Sequence, residues 1–365
     1  MDGTTTAAAE HGERRRVFEF SGTWQEFLPI ALTNLLLTIV TLGIYRFWAK
    51  ARERQYFWSR TRLYDDHLEW TGTGKEMFLG FLIVFLALIP IIGLFFLASY
   101  LFTGNSLAKL LGGLILLALY GGLFYLTGVA SLRALRYRLS RTYWHGIRGG
   151  SEDGGWGYGL EYMWRTILVF FSLFIAYPWA QTRLWNARFN KMSFGQHRFH
   201  ADATGEGLMA RWLLIYAVIA GTFALLFGFV ASMSGMDPEE IAMSASAGLI
   251  IILVFIAFYI AVPLAFLAYF SAYYRRVAGA TSIAGLRFQF RARTADWLLL
   301  FLGHVGLVIA TLGVGALFIS YRNYSFAVRH LDLEGEVDIA ALTQSTTRAP
   351  TDAEGLADAF DIGAL

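Results

Sequence analysis

The chain has 365 residues, 56% hydrophobic and only 16% charged, with 30 Lys and Arg against 27 Asp and Glu. A soluble domain is about 45–50% apolar and ~25% charged, so this composition excludes an ordinary water-soluble domain and points to a polytopic membrane protein. The net charge of +3 is too small to argue for nucleic-acid binding, and the absence of cysteine excludes disulfides, thiolate nucleophiles and cysteine metal sites.

Residues 1–16 are polar and end in Arg14-Arg15-Arg16. They are expected to be disordered. The apolar run that follows is bordered by positive charge, not by a small-residue cleavage site, so insertion without a cleaved signal peptide is expected.

Residues 17–76 form the first of three similar stretches. This one opens with Phe18-Glu19-Phe20 and runs through the apolar segment Phe27–Trp48, which contains Thr41-Leu42-Gly43. Gly43 offers a break there, because glycine is a poor helix former. Trp48-Ala49 and Arg52 follow, and the stretch closes on Glu69-Trp70-Thr71-Gly72-Thr73-Gly74. The order expected is short strand, apolar membrane segment, Arg-rich turn, second strand. Gly72-Thr73-Gly74-Lys75 lacks the first glycine and the final Ser/Thr of a phosphate loop, and reads as a turn leading into a helix.

Residues 77–132 hold two apolar runs, Phe78–Tyr100 and Leu107–Leu132, joined by a connector of five residues, Phe102 to Ser106. They predict a spanning helical hairpin, kinked at Pro90, with Gly112-Gly113 and Gly121-Gly122 allowing close helix approach. Residues 133–207 are the second module. Its glycine-rich stretch Gly149–Gly159 reads as a flexible loop. Its apolar run is Tyr162–Trp179, and Trp179-Ala180 and Arg183 recur 131 positions after Trp48-Ala49 and Arg52. Phe194, His197, Phe199 and Ala201 suggest a strand by loose alternation. Residues 208–272 repeat the hairpin plan with Met209–Ala231 and Ala245–Tyr269, an acidic connector (Asp237, Glu239, Glu240) and Pro263. Residues 273–338 are the third module: Phe288-Gln289-Phe290, the run Trp297–Ser320, Thr311-Leu312-Gly313, Arg322, and a strand expected at Phe326, Val328 and His330. Phe18, Phe20, Thr41, Gly43 and Arg52 all recur 270 positions later. The tail, 339–365, is expected to be disordered.

Charge discriminates between membrane arrangements. Each of the seven apolar runs is near the ~20 residues needed to cross a hydrocarbon core of ~30 Å. If all seven cross, the basic residues split evenly, 14 to each side, with Arg46 and Arg165 at segment ends. If 27–48, 162–179 and 297–320 are re-entrant or interfacial, 29 of the 30 share one side and Lys109 alone sits near the other. Basic residues favour the cytoplasmic side, and clusters flank both ends of these three segments. Charge therefore favours the second arrangement; three full spans with an atypical charge pattern are the alternative. The fold class expected is an α-helical polytopic membrane protein with two spanning hairpins and three strand–membrane segment–strand modules. A small cytoplasmic β layer and both termini lie on the basic side.

The stretch Leu35–Arg52, with Thr41-Leu42-Gly43-Ile44-Tyr45 and Trp48-Ala49-Lys50-Ala51-Arg52, followed by Thr71-Gly72-Thr73-Gly74-Lys75-Glu76, resembles the YjgN-like family of bacterial inner-membrane proteins. The resemblance runs from about Val17 to Asp338, with the first module its most specific part. It implies an inner-membrane location and no established catalytic residues.

The candidate solute- or lipid-binding residues are Asn34 and His304, polar groups inside apolar segments, and Arg52, Arg183 and Arg322, at equivalent places after those segments. Each has a structural counter-reading: a hydrogen-bonded packing residue for the first two, a headgroup anchor or helix C-terminal partner for the arginines. Thr41, Gly43, Trp48, Gly72 and Gly74 are motif positions with structural roles. Trp24, Trp48, Trp58, Trp70, Trp164, Trp179 and Trp297 fall near segment ends and suggest an interfacial belt. The histidines lack metal-ligand spacing, so no metal is expected, and no cofactor is implied. The expected partner is a bilayer with anionic headgroups, not nucleic acid; a homo-oligomer is compatible. The leading reading is a non-enzymatic protein that transports or handles a small solute or lipid between the two hairpins. The alternative is a structural, envelope-assembly or anionic-lipid-binding scaffold.

Overall fold

A computed structural model describes residues 17–232, 245–335 and 342–347. The acidic connector, residues 1–16 and most of the tail lie outside the described residues.

Among the described residues four helices are long and apolar enough to cross a membrane. They are α3 (Gly74–Leu101), α4 (Ser106–Arg141), α7 (Leu208–Ser232) and α8 (Ala245–Gly279). They pair as the two expected hairpins, α3 on α4 and α7 on α8. At 1.5 Å per residue the 28 residues of α3 extend roughly 42 Å, longer than a hydrocarbon core. Only 6% of each apolar window is buried within the protein, so lipid must cover the rest. Pro90 and Pro263 lie inside α3 and α8. Gly112 does sit against the Ala98 carbonyl, but Gly113, Gly121 and Gly122 face open space, so close approach is confined to the tip of the first hairpin.

The other three apolar segments do not continue straight. α1 (Trp24–Val40) turns at residues 41–45 and returns as α2 (Arg46–Ser59). In the same way α5 (Trp156–Phe171) returns as α6 (Tyr177–Phe189). α9 (Thr294–Ala310) passes through a short 3-10 stretch, Val314–Phe318, into α10 (Ile319–His330). Contacts at both levels show the first doubling back: the Tyr56 hydroxyl donates to Thr23 O at 2.8 Å, and Asn34 Nδ2 donates to Ala49 O at 3.2 Å. Both flanks of this segment are therefore at one end, where the Ser21 amide donates to Arg60 O. The Arg-rich stretch after each of these three segments is thus a helix rather than a turn. Phe326–His330 is helical too, correcting the expected strand. Apolar spacing there fits either period, and the packing of Phe326 on Trp297, with centroids 4.9 Å apart, selects the helix.

Three turns share one construction. Thr41 Oγ1 donates to Leu37 O and accepts from the Tyr45 amide, with Leu42 and Gly43 at φ +50° and +91°. Ser172 Oγ donates to Val169 O and accepts from the Ala176 amide, with Leu173 and Phe174 at +50° and +65°. Thr311 Oγ1 donates to Leu307 O and accepts from the Gly315 amide, with Leu312 and Gly313 at +49° and +97°. Two successive left-handed residues reverse the chain, and the hydroxyl satisfies backbone groups freed at the helix ends. Leu42, Leu173 and Leu312 are 94%, 73% and 95% exposed, so each turn presents bare apolar side chains.

The β layer is larger than the sequence suggested. β1 (Phe18–Phe20), β2 (Thr61–Leu63) and β3 (Asp66–His67) form one antiparallel sheet. β4 (Glu69–Trp70), β5 (Thr142–Trp144), β6 (Ile147–Gly150), β7 (Ser193–Phe194), β8 (His197–Ala201), β9 (Thr281–Ile283), β10 (Leu286–Phe290) and β11 (Leu331–Glu334) follow each other as neighbours in a second. The β5–β6 and β9–β10 loops, His145-Gly146 and Ala284-Gly285, have two left-handed residues each, the geometry of tight hairpins. β1 packs beside β11, so the two ends of the strand run approach each other. Gly149 and Gly150 belong to β6 rather than to a flexible loop. Part of the tail is ordered as well. Gln344 Nε2 donates to Gly146 O, its Oε1 accepts from the Arg148 amide, and Ser345 is buried. Backbone groups of the β5–β6 hairpin thus hold a segment whose polar composition alone suggested disorder.

The core lies where helices meet strands. Phe47, Ala51, Trp70, Met77 and Tyr137 bury under the first hairpin, and Leu208, Trp212, Ile215, Tyr269 and Val277 under the second. Trp70 is 6% exposed, and Trp58 Nε1 donates to Thr142 Oγ1, so these two serve the core, whereas Trp24 and Trp164 are exposed as an interfacial belt requires.

Candidate functional site

Threonine caps start the first and third helices in the same way: Thr23 accepts from the Glu26 amide and Thr73 from the Glu76 amide. Gly74 then allows α3 to lie on α2, since a Cβ there would stand 2.6 Å from Trp48 Cα. Gly72 accepts the Trp70 indole N–H on its carbonyl at 2.9 Å and lies under that ring. The motif positions Trp48, Gly72 and Gly74 are thus packing positions at one joint.

Two of the sequence-derived pairs meet. Arg52 Nη1 lies 3.5 Å from Asn34 Oδ1 and donates to the Tyr45 hydroxyl at 3.1 Å. Asn34 is 4% exposed. Arg322 lies over Gly303, beside His304, whose Nε2 is buried without a hydrogen-bond partner. Arg183 is exposed on α6. These contacts keep Arg52 and Arg322 within their own helical pairs.

Asn34 also lines a cavity of about 690 Å³ between the first and last helical pairs. Ala31 and Leu35 of α1, Arg54 and Phe57 of α2, and Leu317 and Tyr324 wall it. Phe57 stacks on Tyr324 at 4.7 Å, Tyr324 meets Thr61 Oγ1 at 2.8 Å, and the Tyr321 hydroxyl donates to Gly22 O at 2.9 Å. Burial, then the nearby Glu26 carboxylate, pushes the Tyr56 hydroxyl up to about 12, so it stays a neutral donor. An apolar wall with cationic groups at hand suits an amphipathic molecule. Among the described residues no group of three or more metal-ligating side chains exists.

At the base of the first hairpin a carboxylate is shared. Glu76 Oε1 accepts from Arg141 Nη2 at 3.0 Å, and its Oε2 accepts from the Tyr137 hydroxyl at 2.9 Å. Beside them Arg136 donates to Asp153 O, while the Asp153 carboxylate accepts from Lys191 Nζ at 2.7 Å and from the Gly155 amide. Burial alone would raise the Asp153 carboxyl, but Lys191 and the Gly155 amide outweigh it and hold it below the usual carboxylate range. Sequence reasoning missed these groups because acids beside basic runs look like ordinary solvated charge.

Four apolar helices long enough to span among the described residues, with helical pairs that double back onto a strand layer, define an integral α-helical membrane protein. The chain belongs to the family described as "Bacterial protein of unknown function (DUF898)", whose model matches residues 15–359. It is 28% identical to the inner membrane protein YjgN of Escherichia coli O157:H7 over 131 residues, 36% of this chain and 30% of that protein. With the inner membrane protein YjgN of Salmonella typhimurium it shares 36% identity over 67 residues, 18% of this chain and 17% of that protein. The matched stretches thus span less than a third of these relatives. No solved structure matches.

Proposed function

We propose that this protein handles lipid, or an amphipathic solute, at the leaflet next to its strand layer, without catalysing a reaction. The organisation proposed is three repeated modules, 17–76, 133–207 and 273–338, separated by the hairpins 77–132 and 208–272. The basic layer and both termini face the cytoplasm, following the bias of basic residues. The observation that carries the reading is the recurrence of one hydroxyl-capped, left-handed turn at three places, each bearing exposed leucine or phenylalanine. Such side chains are costly in water, and backbone at that depth is tolerable only if satisfied internally, as these turns are. The three tips therefore act as wedges in one leaflet, with the amphipathic cavity behind the first and last of them. A carrier path through the spans is less favoured, because residues 77–101, 110–132, 212–232 and 248–274 contain no Asp, Glu, Lys or Arg.

The test is nitroxide labelling at Leu42, Leu173 and Leu312 in nanodiscs. Wedges give greater accessibility to oxygen than to a water-soluble nickel chelate at all three sites, and phospholipid retained in native mass spectra is lost on Leu35→Arg in the cavity wall. Tips more accessible to the chelate would sink the reading.

A further inference from the structure

The two hairpins differ at their bases. Positions 131 residues apart correspond across the starts of α3 and α7: Thr73 with Thr204, Gly74 with Gly205, and the buried Met77 with the buried Leu208. Positions 139 residues apart correspond across the ends of α4 and α8. Arg136 donates to Asp153 O, and Arg275 donates to Ala292 O. On this correspondence Glu76, which holds Arg141 and Tyr137, is replaced by Gly207, and Asp153, which holds Lys191, is replaced by Ala292. Gly80 is replaced by Arg211, and Tyr137 by Arg276. At the same offsets Lys75 becomes Glu206, and Arg133, Arg138 and Arg141 become Ala272, Val277 and Ala280, so what sets the second base apart is where its arginines gather rather than its total charge.

The outcome is a cleft of about 650 Å³ with four guanidinium groups on three elements: Arg211 of α7, Arg275 and Arg276 of α8, and Arg287 of β10. Arg211, Arg276 and Arg287 are exposed. Arg275 lies in the field of Arg211 and Arg293, opposed in part by Asp296. Backbone carbonyls hold three of them: Arg276 on Glu206 O, Arg211 on Ala268 O, Arg275 on Ala292 O. Asp202 and Glu206 stand exposed at the rim, and among the described residues none of the four arginines forms an ion pair with a carboxylate. Four cations and two acids leave the cleft with a charge of +2. Like charges gathered on three elements and held by backbone carbonyls, with no carboxylate paired to them among the described residues, form a place for an anion.

We infer that the arginine cleft at the base of the second hairpin binds a phosphate ester. Planar guanidinium groups pair with phosphate oxygens in bidentate fashion. The cleft opens where α7 and α8 enter their apolar runs, the level at which a phospholipid headgroup lies, so the phosphate comes from a lipid or from a soluble ester. This goes beyond the wedge reading and does not depend on it: the cleft lies at the base of the helices, away from the three turns.

The experiment measures binding to full-length protein in neutral detergent by thermal shift and by 31P NMR. The probes are dioctanoyl phosphatidic acid, dioctanoyl phosphatidylglycerol, glycerol phosphate and dioctanoyl phosphatidylcholine. The double variant Arg211→Gln/Arg287→Gln removes two exposed guanidinium groups, one held by the Ala268 carbonyl at 3.3 Å and one on the strand face opposite Glu334. Its melting temperature without ligand is expected to equal the parent's, which shows that it folds. Binding of the anionic probes to the parent, weakened on the order of tenfold or more in the variant, supports the site. If phosphatidic acid and phosphatidylglycerol bind and glycerol phosphate does not, the source is a headgroup. If glycerol phosphate binds equally well, it is a soluble ester. No binding of any anionic probe, equal binding by the variant, or equal binding of phosphatidylcholine overturns the inference.

Discussion

The bases of the two hairpins differ in how their charges are answered: at the first, carboxylates pair with cations, and at the second, arginines gather without them. Around α3 and α4, Glu76 and Asp153 balance Arg141 and Lys191, and Gly74 lets Trp48 press directly on the helix. Around α7 and α8 the corresponding residues are Gly207, Ala292 and Gly205, and a Cβ at Gly205 would stand 3.8 Å from Trp179 Cα, an ordinary contact. The first base is thus a packed joint. The second keeps its buried core but has a solvent-facing cationic cleft in place of the ion pairs. Where one fold places two equivalent sites, the one that gives up its stabilising partners is where a ligand is to be sought.

The largest effect that separates them is steric. Gly74→Ala drives a methyl group into the Trp48 backbone and is expected to cost about 2–3 kcal/mol. Gly205→Ala is expected to stay within roughly 0.5 kcal/mol. Unfolding of both variants in one detergent checks this; equal losses would erase the contrast. Next in size is charge. Glu76→Gln leaves Arg141 and the Tyr137 hydroxyl without their carboxylate, at about 1–2 kcal/mol, since the pair is roughly one-fifth exposed. Arg211→Gln removes no pair and is expected to leave stability within about 0.5 kcal/mol in the same assay.

The smallest effect is the dependence on acid. The Asp153 carboxyl is depressed in the folded state, so its contribution is fully present above the ordinary carboxylate value of 3.8 and is lost as pH falls through the lower folded value. Asp153→Asn is therefore expected to be less stable than the parent by under about 1 kcal/mol at neutral pH, the difference closing in acid below that value. Melting curves against pH, with Ala292→Ser as a substitution at the corresponding position that introduces no titrating group, test it. A difference that persists unchanged in acid assigns the loss to packing rather than to charge.

Much of the fold was legible because it rests on local rules. Runs of apolar residues set the four spans, Thr-Leu-Gly marked two of the three reversals, and Gly72–Lys75 marked a turn leading into α3, whereas the Thr-x-x-Glu caps of α1 and α3 were not read from the sequence. The third reversal, Ser172-Leu173-Phe174, lacks glycine and was harder to see. Helix and strand at Phe326–His330 could not be separated by spacing. The β5–β6 and β9–β10 hairpins were missed because His145-Gly146 and Ala284-Gly285 are weak turn signals between short strands. Asn34 and His304 were singled out as polar residues in apolar runs; Asn34 Oδ1 lies 3.5 Å from Arg52, and His304 lies in the field of Arg322.

The sequence alone determined how this chain divides between lipid and water, because that partition is a sum over each segment's own side chains. Only the tertiary structure decided which charges are answered. Arg211, Arg275, Arg276 and Arg287 come from three elements spread over 77 positions, counting from Arg211 to Arg287 inclusive. Whether a guanidinium faces a carboxylate or another guanidinium depends on how those elements pack, and electrostatic energy depends on distance in space, not on separation along the chain.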